Sequence, residues 1–129
     1  MREYQRRKNN KYILPAAAYN LTVWTIRDYC RIKEEAEAIL MESPPPPDGQ
    51  PRGSGTGDEV ASKAIRREEF LRKTAAIETA LGNIPKEYRG GVWANIVKRK
   101  AFPLDADRST YGRWKSRFIY EVAVRLGIV

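Results

Sequence analysis

At 129 residues the chain has room for one domain, or for a helical arm plus a small module, and not for two ordinary cores. Its formal charge is +8 although 42% of its residues are apolar, so most of it is expected to fold while presenting a surface suited to a polyanion. The absence of histidine and the single cysteine, Cys30, exclude zinc clusters, intramolecular disulfides and Cys/His nucleophile pairs; neither a cofactor nor an enzymatic activity is expected.

The charge is uneven. Five Lys/Arg and one acid fall in the first twelve residues, nine against eleven between Ile13 and Pro85, and ten against four from Lys86 to Val129. Any nucleic-acid surface is therefore expected at the two basic ends. No apolar run approaches the roughly 18–20 residues of a membrane span, and no apolar segment follows the Arg-rich start; a soluble, cytoplasmic chain without a membrane partner is expected.

Residues 1–12, MREYQRRKNNKY, are polar and aperiodic and read as a basic flexible arm. Residues 13–43 read as one long N-terminal helix. From Pro15 to about Glu42 there is no internal Gly or Pro, and Pro15 suits a first turn. Tyr19, Val23, Ile26 and Cys30 share one stripe, which Tyr29, Ile32, Ala36, Ile39 and Leu40 continue as it drifts round the cylinder. The acidic cluster Glu34, Glu35 and Glu37 falls on the solvent side.

Residues 44–57 open with four consecutive prolines and continue in glycine and serine, the composition of a linker. Thr56 and Glu59 have capping-box spacing, with Asp58 adding negative charge, so a second helix is expected from about Asp58 to Leu81. Its buried side is predicted to be Ala61, Ala64, Phe70, Leu71, Thr74, Ile77, Leu81 and Ile84. Its outer face, Arg66, Arg67, Glu68, Glu69, Arg72 and Lys73, carries mixed signs suited to local pairing.

Gly82-Asn83 offers a left-handed residue to end that helix, and Pro85 opens a third. The third helix runs to about Lys100 and buries Tyr88, Val92, Trp93 and Ile96. Its Gly90-Gly91 pair costs roughly 2 kcal/mol relative to two alanines, which points to a close neighbour. A loop follows, with Asp105 and Asp107 as turn and cap residues. The last helix starts near Ser109 or Thr110 and stops at Gly127, with Tyr111, Trp114, Phe118, Val122 and Leu126 inward.

No strand-like alternation persists, so the expected fold is all-α. The long N-terminal helix and the helix from Asp58 form an antiparallel pair, and residues 58–129 end in a C-terminal helix-turn-helix-like unit.

On the last helix Arg113, Ser116, Arg117 and Tyr120 share a face at i, i+3, i+4 and i+7 spacing. Guanidinium and ammonium groups placed so neutralise phosphates, and a guanidinium can read guanine edges in the major groove. Lys98, Arg99 and Lys100 are positioned in the chain to clamp a phosphate beside that helix. The glycines from Gly49 to Gly57 lack the terminal Gly-Lys-Ser/Thr of a phosphate-binding loop.

The run Ser109-Thr110-Tyr111-Gly112-Arg113-Trp114-Lys115-Ser116-Arg117-Phe118-Ile119-Tyr120, with Val122-Ala123-Val124-Arg125-Leu126-Gly127 behind it, resembles the recognition-helix end of phage late-operon transcriptional regulators of the RinA and ArpU type. Those regulators look like the last DNA-binding region of sigma factors. The resemblance covers about 45 residues and implies a helix-turn-helix that activates phage or prophage genes. It implies that Ser109, Thr110, Arg113, Lys115 and Arg117 face double-stranded DNA; the charge of Lys98, Arg99, Lys100 and Arg108 and the spacing of Tyr120 add those residues to the candidate contacts. The basic face could instead serve RNA polymerase or another protein, and the apolar surface of the long helices allows a homodimer that would pair two half-sites. The sequence departs from the pattern in one respect: the stretch from Lys100 to Ser109 contains Pro103 and is too short for a separate scanning helix. The competing reading is an oligomeric phage assembly or adaptor protein, whose basic face binds DNA without reading sequence or meets an acidic protein.

Overall fold

The computed structural model describes Gln5, residues 10–42 and residues 54–129, all of whose regular structure is helical. Five helices follow in order: α1 Ala16–Arg27, α2 Tyr29–Glu42, α3 Ser54–Gly82, α4 Lys86–Val97 and α5 Arg108–Arg125. The prolines predicted to form a linker lie outside the described residues. Residues 54–57, read as the end of that linker, are helical, so α3 begins ahead of the Thr56–Glu59 pair.

The predicted long N-terminal helix is broken in two at Asp28. The Asp28 N–H is shared between the carbonyls of Trp24 (3.1 Å) and Thr25 (3.2 Å). Its carboxylate is held by two bonds from Arg31, 2.7 and 2.6 Å long. This guanidinium keeps the Asp28 carboxyl below its usual range, chiefly through those bonds. Aspartate is a poor helix former, and the chain turns there. Arg27 fixes the turn from the other side by donating to the Ile96 carbonyl at the end of α4 (2.8 Å).

The break lets the two halves pack differently. Tyr19, Thr22, Val23 and Ile26 of α1 join Ile77, Ala80, Ile84, Val92, Ile96, Tyr111, Phe118, Ile119, Val122 and Ala123 in the main core. Ile32, Ala36 and Ile39 of α2 are buried outside that core, where α2 lies along α3. Tyr29, at the start of α2, donates its hydroxyl to Glu78 near the end of α3. Loss of solvent there, reinforced by that bond, pushes the Tyr29 phenol up to about 12.

The burial stripe on α3 differs from the predicted one. Ala61, Ala64 and Leu71 are exposed, and the inward line runs through Lys63, Arg67 and Phe70 to Thr74 and Ile77. Lys63 and Arg67 stand half-buried where an apolar residue was sought, because long charged side chains carry aliphatic stems; the Arg67 Nε is itself buried. Cys30 and Leu40 are also exposed, although the stripe predicted for the first helix included both. Glu34 and Glu37 are exposed, as their placement on the solvent side requires, whereas Glu35 is half-buried.

The turn from α3 to α4 is tight and needs no left-handed residue. The N–H groups of Asn83 and Ile84 bond back to the carbonyls of Ala80 and Leu81, and Arg89 donates to the carbonyls of Gly82 and Ile84. Among the described residues, positive φ occurs only at Arg99 and Gly127. Gly127, with φ 71°, ends α5 as predicted: Gly127 N–H bonds the Val124 carbonyl and Ile128 N–H the Ala123 carbonyl.

Candidate nucleic-acid interface

The last helix is seated by aromatic rings. Tyr111 stacks on Phe102 (5.3 Å, 12°), meets Tyr88 edge to face (5.4 Å), and Tyr88 in turn lies nearly parallel to Trp114 (6.4 Å, 19°). The Tyr111 hydroxyl donates to Asp105 (2.6 Å), and that bond first, with burial second, pushes its phenol up to about 12. Asp105 thus closes the loop before α5 in the turn role expected of it. Asp107 occupies the cap position of α5 but makes no side-chain cap bond, so the first N–H groups of the helix have no side-chain cap.

The structure divides the predicted contact residues into two sets. Arg113 and Arg117 are exposed on one face of α5, with Ser116 and Tyr120 half-buried beside them. The Arg117 guanidinium lies 5.5 Å from the centre of the Trp114 ring. Lys115 stands two residues from each arginine, hence on the other side of the helix. It is half-buried and donates to the Asn95 side chain of α4 (2.8 Å), so its ammonium serves the join between α4 and α5. Asn95, buried, also donates to the Lys100 carbonyl (2.7 Å). That bond, with Lys100 N–H to the Ala94 carbonyl (3.2 Å), holds Arg99 in the left-handed region at φ 54°. Lys98, Arg99 and Lys100 are exposed on this second flank, and Arg108 is exposed at the start of α5, with Ser109 and Thr110 half-buried.

Ion pairs engage only part of the described cations, and Arg66, Arg67, Lys73, Lys86 and Arg89 of α3 and α4 form none. In α2, α3 and the end of α5, Arg31 pairs with Asp28 and Glu35, Lys33 with Glu78, Arg72 with Glu69 and Arg125 with Glu121. Among the described residues, Lys98, Arg99, Lys100, Arg108, Arg113 and Arg117 form no ion pair. Cations without carboxylate partners repel one another and are available to an anion.

One part of this surface is not evident in the sequence. Asn10 donates to the Ser116 hydroxyl (3.3 Å), and Tyr12 packs edge-on against Tyr120 (5.5 Å, 61°). Gln5 makes two 2.7 Å bonds to the backbone N–H and carbonyl of Leu14. The described residues of the predicted free arm are therefore docked on the body. A tyrosine at the end of a polar basic run was the available signal.

Elsewhere, a cleft of about 440 Å³ between α2, α3 and α4 includes Tyr29, Trp93 and the exposed thiol of Cys30, with Lys86 and Arg89 also in its lining. No group of His, Cys, Asp and Glu suited to a metal ion occurs among the described residues, and no helix is long and apolar enough to cross a membrane.

Fold and site together define an all-helical protein with a basic, aromatic-backed helix face. Compared with family models, curated proteins and solved structures, the chain finds no match.

Proposed function

We propose that the protein binds double-stranded DNA through the outward face of α5 and acts as a phage or prophage transcriptional regulator. The observation that carries this reading is a set of exposed cations without ion pairs along α5 and the loop before it: Lys98, Arg99, Lys100, Arg108, Arg113 and Arg117. Arg113 and Arg117 supply the groups that read base edges, while Lys98, Arg99, Lys100 and Arg108 contact phosphates from the flank. The uncapped start of α5 adds backbone N–H groups that favour an anion. In this reading α2 and α3 are an antiparallel pair, α4 and α5 are the helix-turn-helix-like unit, and the likeness to RinA and ArpU regulators supplies the genetic setting.

Residues 98–107 separate α4 from α5, whereas the usual helix-turn-helix connection is about three or four residues. That length favours the second reading, an assembly or adaptor protein whose basic face neutralises DNA without reading sequence.

Selection of bound sequences from random duplex DNA separates the two. With base reading, the wild type enriches a motif and Arg113→Ala or Arg117→Ala relaxes the preference at one position. No enrichment, with binding to chosen and random duplexes falling equally as salt rises, overturns the regulator and leaves charge neutralisation. No retention by any duplex at low salt overturns both.

A further inference from the structure

We infer that the segment Asn10–Tyr12 is a second wall of the polyanion surface, holding Lys11 beside Arg117; this inference rests on the DNA-binding reading above. The register of the segment carries the inference. Asn10 is tied to Ser116 and Tyr12 to Tyr120, so Lys11 is held alongside the stretch of α5 from Ser116 to Tyr120, which carries Arg117. Lys11 is exposed, and its ammonium lies 5.3 Å from the centre of the Tyr12 ring. Arg117 is likewise seated on a ring, that of Trp114.

Both cations are thus supported by π faces, which leave their charge uncompensated. Uncompensated cations along one stretch of surface repel one another in the free protein and are stabilised when a polyanion binds. The two Gln5 bonds to Leu14 fix the segment from its other end, so Lys11 is held by attachments on both sides. Asn10, Tyr12 and Gln5 are positioning residues, and Lys11 is the contact.

The test measures binding of the full chain to a short random-sequence DNA duplex across a salt series, for wild type, Lys11→Gln, Tyr12→Ala, Tyr12→Phe and Arg117→Ala. Loss of one phosphate contact makes the plot of log affinity against log salt shallower by about one unit. Lys11→Gln and Tyr12→Ala are each expected to show that change, and Tyr12→Phe, which keeps the ring, to retain the wild-type slope. The double variant of Lys11→Gln with Tyr12→Ala is expected to be no weaker than either single one. Lys11→Gln removes only an exposed charge, so its result stands even if Tyr12→Ala lowers stability. Wild-type slope and affinity in Lys11→Gln, with Arg117→Ala weakened, overturn the second wall alone. A wild-type chain that binds no duplex overturns the DNA-binding reading and the wall with it.

Discussion

A methyl group placed on Gly91 of α4 would lie 2.6 Å from Cε1 of the Tyr111 ring in α5, and 2.8 Å from Cδ of Pro103. Helix and loop approach α4 here more closely than any side chain permits. Gly91→Ala is expected to destabilise the fold by about 1–3 kcal/mol, because Tyr111 is buried and cannot yield. At Gly90 the same methyl would meet nothing within 4 Å, so Gly90→Ala is expected to stabilise by about 0.5–1 kcal/mol. Denaturant unfolding of the two variants checks the opposite signs.

Arg99 holds a left-handed backbone conformation that costs a non-glycine residue about 1–2 kcal/mol. Arg99→Gly is therefore expected to raise stability by about 1 kcal/mol, and, on the proposed function, to weaken duplex binding. Thermal unfolding and a binding isotherm on the same variant check the pair of effects. A gain in both would remove Arg99 from the interface.

Asn95 is buried with both ends of its amide engaged, by Lys115 and by the Lys100 carbonyl. Asn95→Ala removes both of these bonds at the buried join of α4 and α5, and a loss of about 1–3 kcal/mol is expected. Urea unfolding measures the loss. Lys63→Ala on α3 is a poor control, since Lys63 is half-buried on the inward line of that helix; the exposed Lys86→Ala is the better one.

Base is expected to weaken the fold. Tyr29 and Tyr111 hold their protons up to about 12, against about 10 in an unfolded chain. As pH rises above about 10 the unfolded state loses these protons first, so it binds fewer than the native state and stability falls. Their contribution is complete below pH 10 and lost by about pH 12. Phenolate absorbance, followed with unfolding in Tyr111→Phe, is expected to show one late-titrating group fewer and a flatter alkaline decline.

Acid acts on the break between α1 and α2. The folded Asp28 carboxyl titrates below 3.8, so its contribution is present above that value and disappears as pH falls through the folded one. The pair with Arg31 is more than a third exposed, so screening by solvent keeps the effect under about 1 kcal/mol. Asp28→Asn is expected to remove this part of the acid dependence, as seen by comparing unfolding curves at mildly and strongly acidic pH.

Helix existence was legible because apolar residues recur at 3.6-residue spacing: Tyr19, Val23 and Ile26 in α1, and Tyr111, Phe118 and Val122 in α5, are buried as that spacing demands. The close neighbour implied by Gly90-Gly91 is present at one of the two glycines. The break at Asp28 was not legible, since neither glycine nor proline marks it; an aspartate chelated by the next turn does so instead. The α3 seam was misread for a related reason, because hydropathy assigns Lys63 and Arg67 to solvent whole and ignores their stems. Within the site, spacing alone put Arg113, Arg117 and Tyr120 on one face. The placement of Lys115 against Asn95 and of Tyr12 against Tyr120 depends on contacts between segments far apart in the chain, which periodicity does not encode.

The seating of Arg117 on the Trp114 ring provides a built-in optical reporter. Indole emission responds to the charge and water around it, and a phosphate drawn to the Arg117 guanidinium changes both. Since Trp24 is 59% exposed on α1 and Trp93 lines the cleft beside α2, replacing those two with phenylalanine leaves Trp114 as the single indole, at the face of interest. Occupancy can then be followed without a label, in real time, on the unmodified nucleic acid.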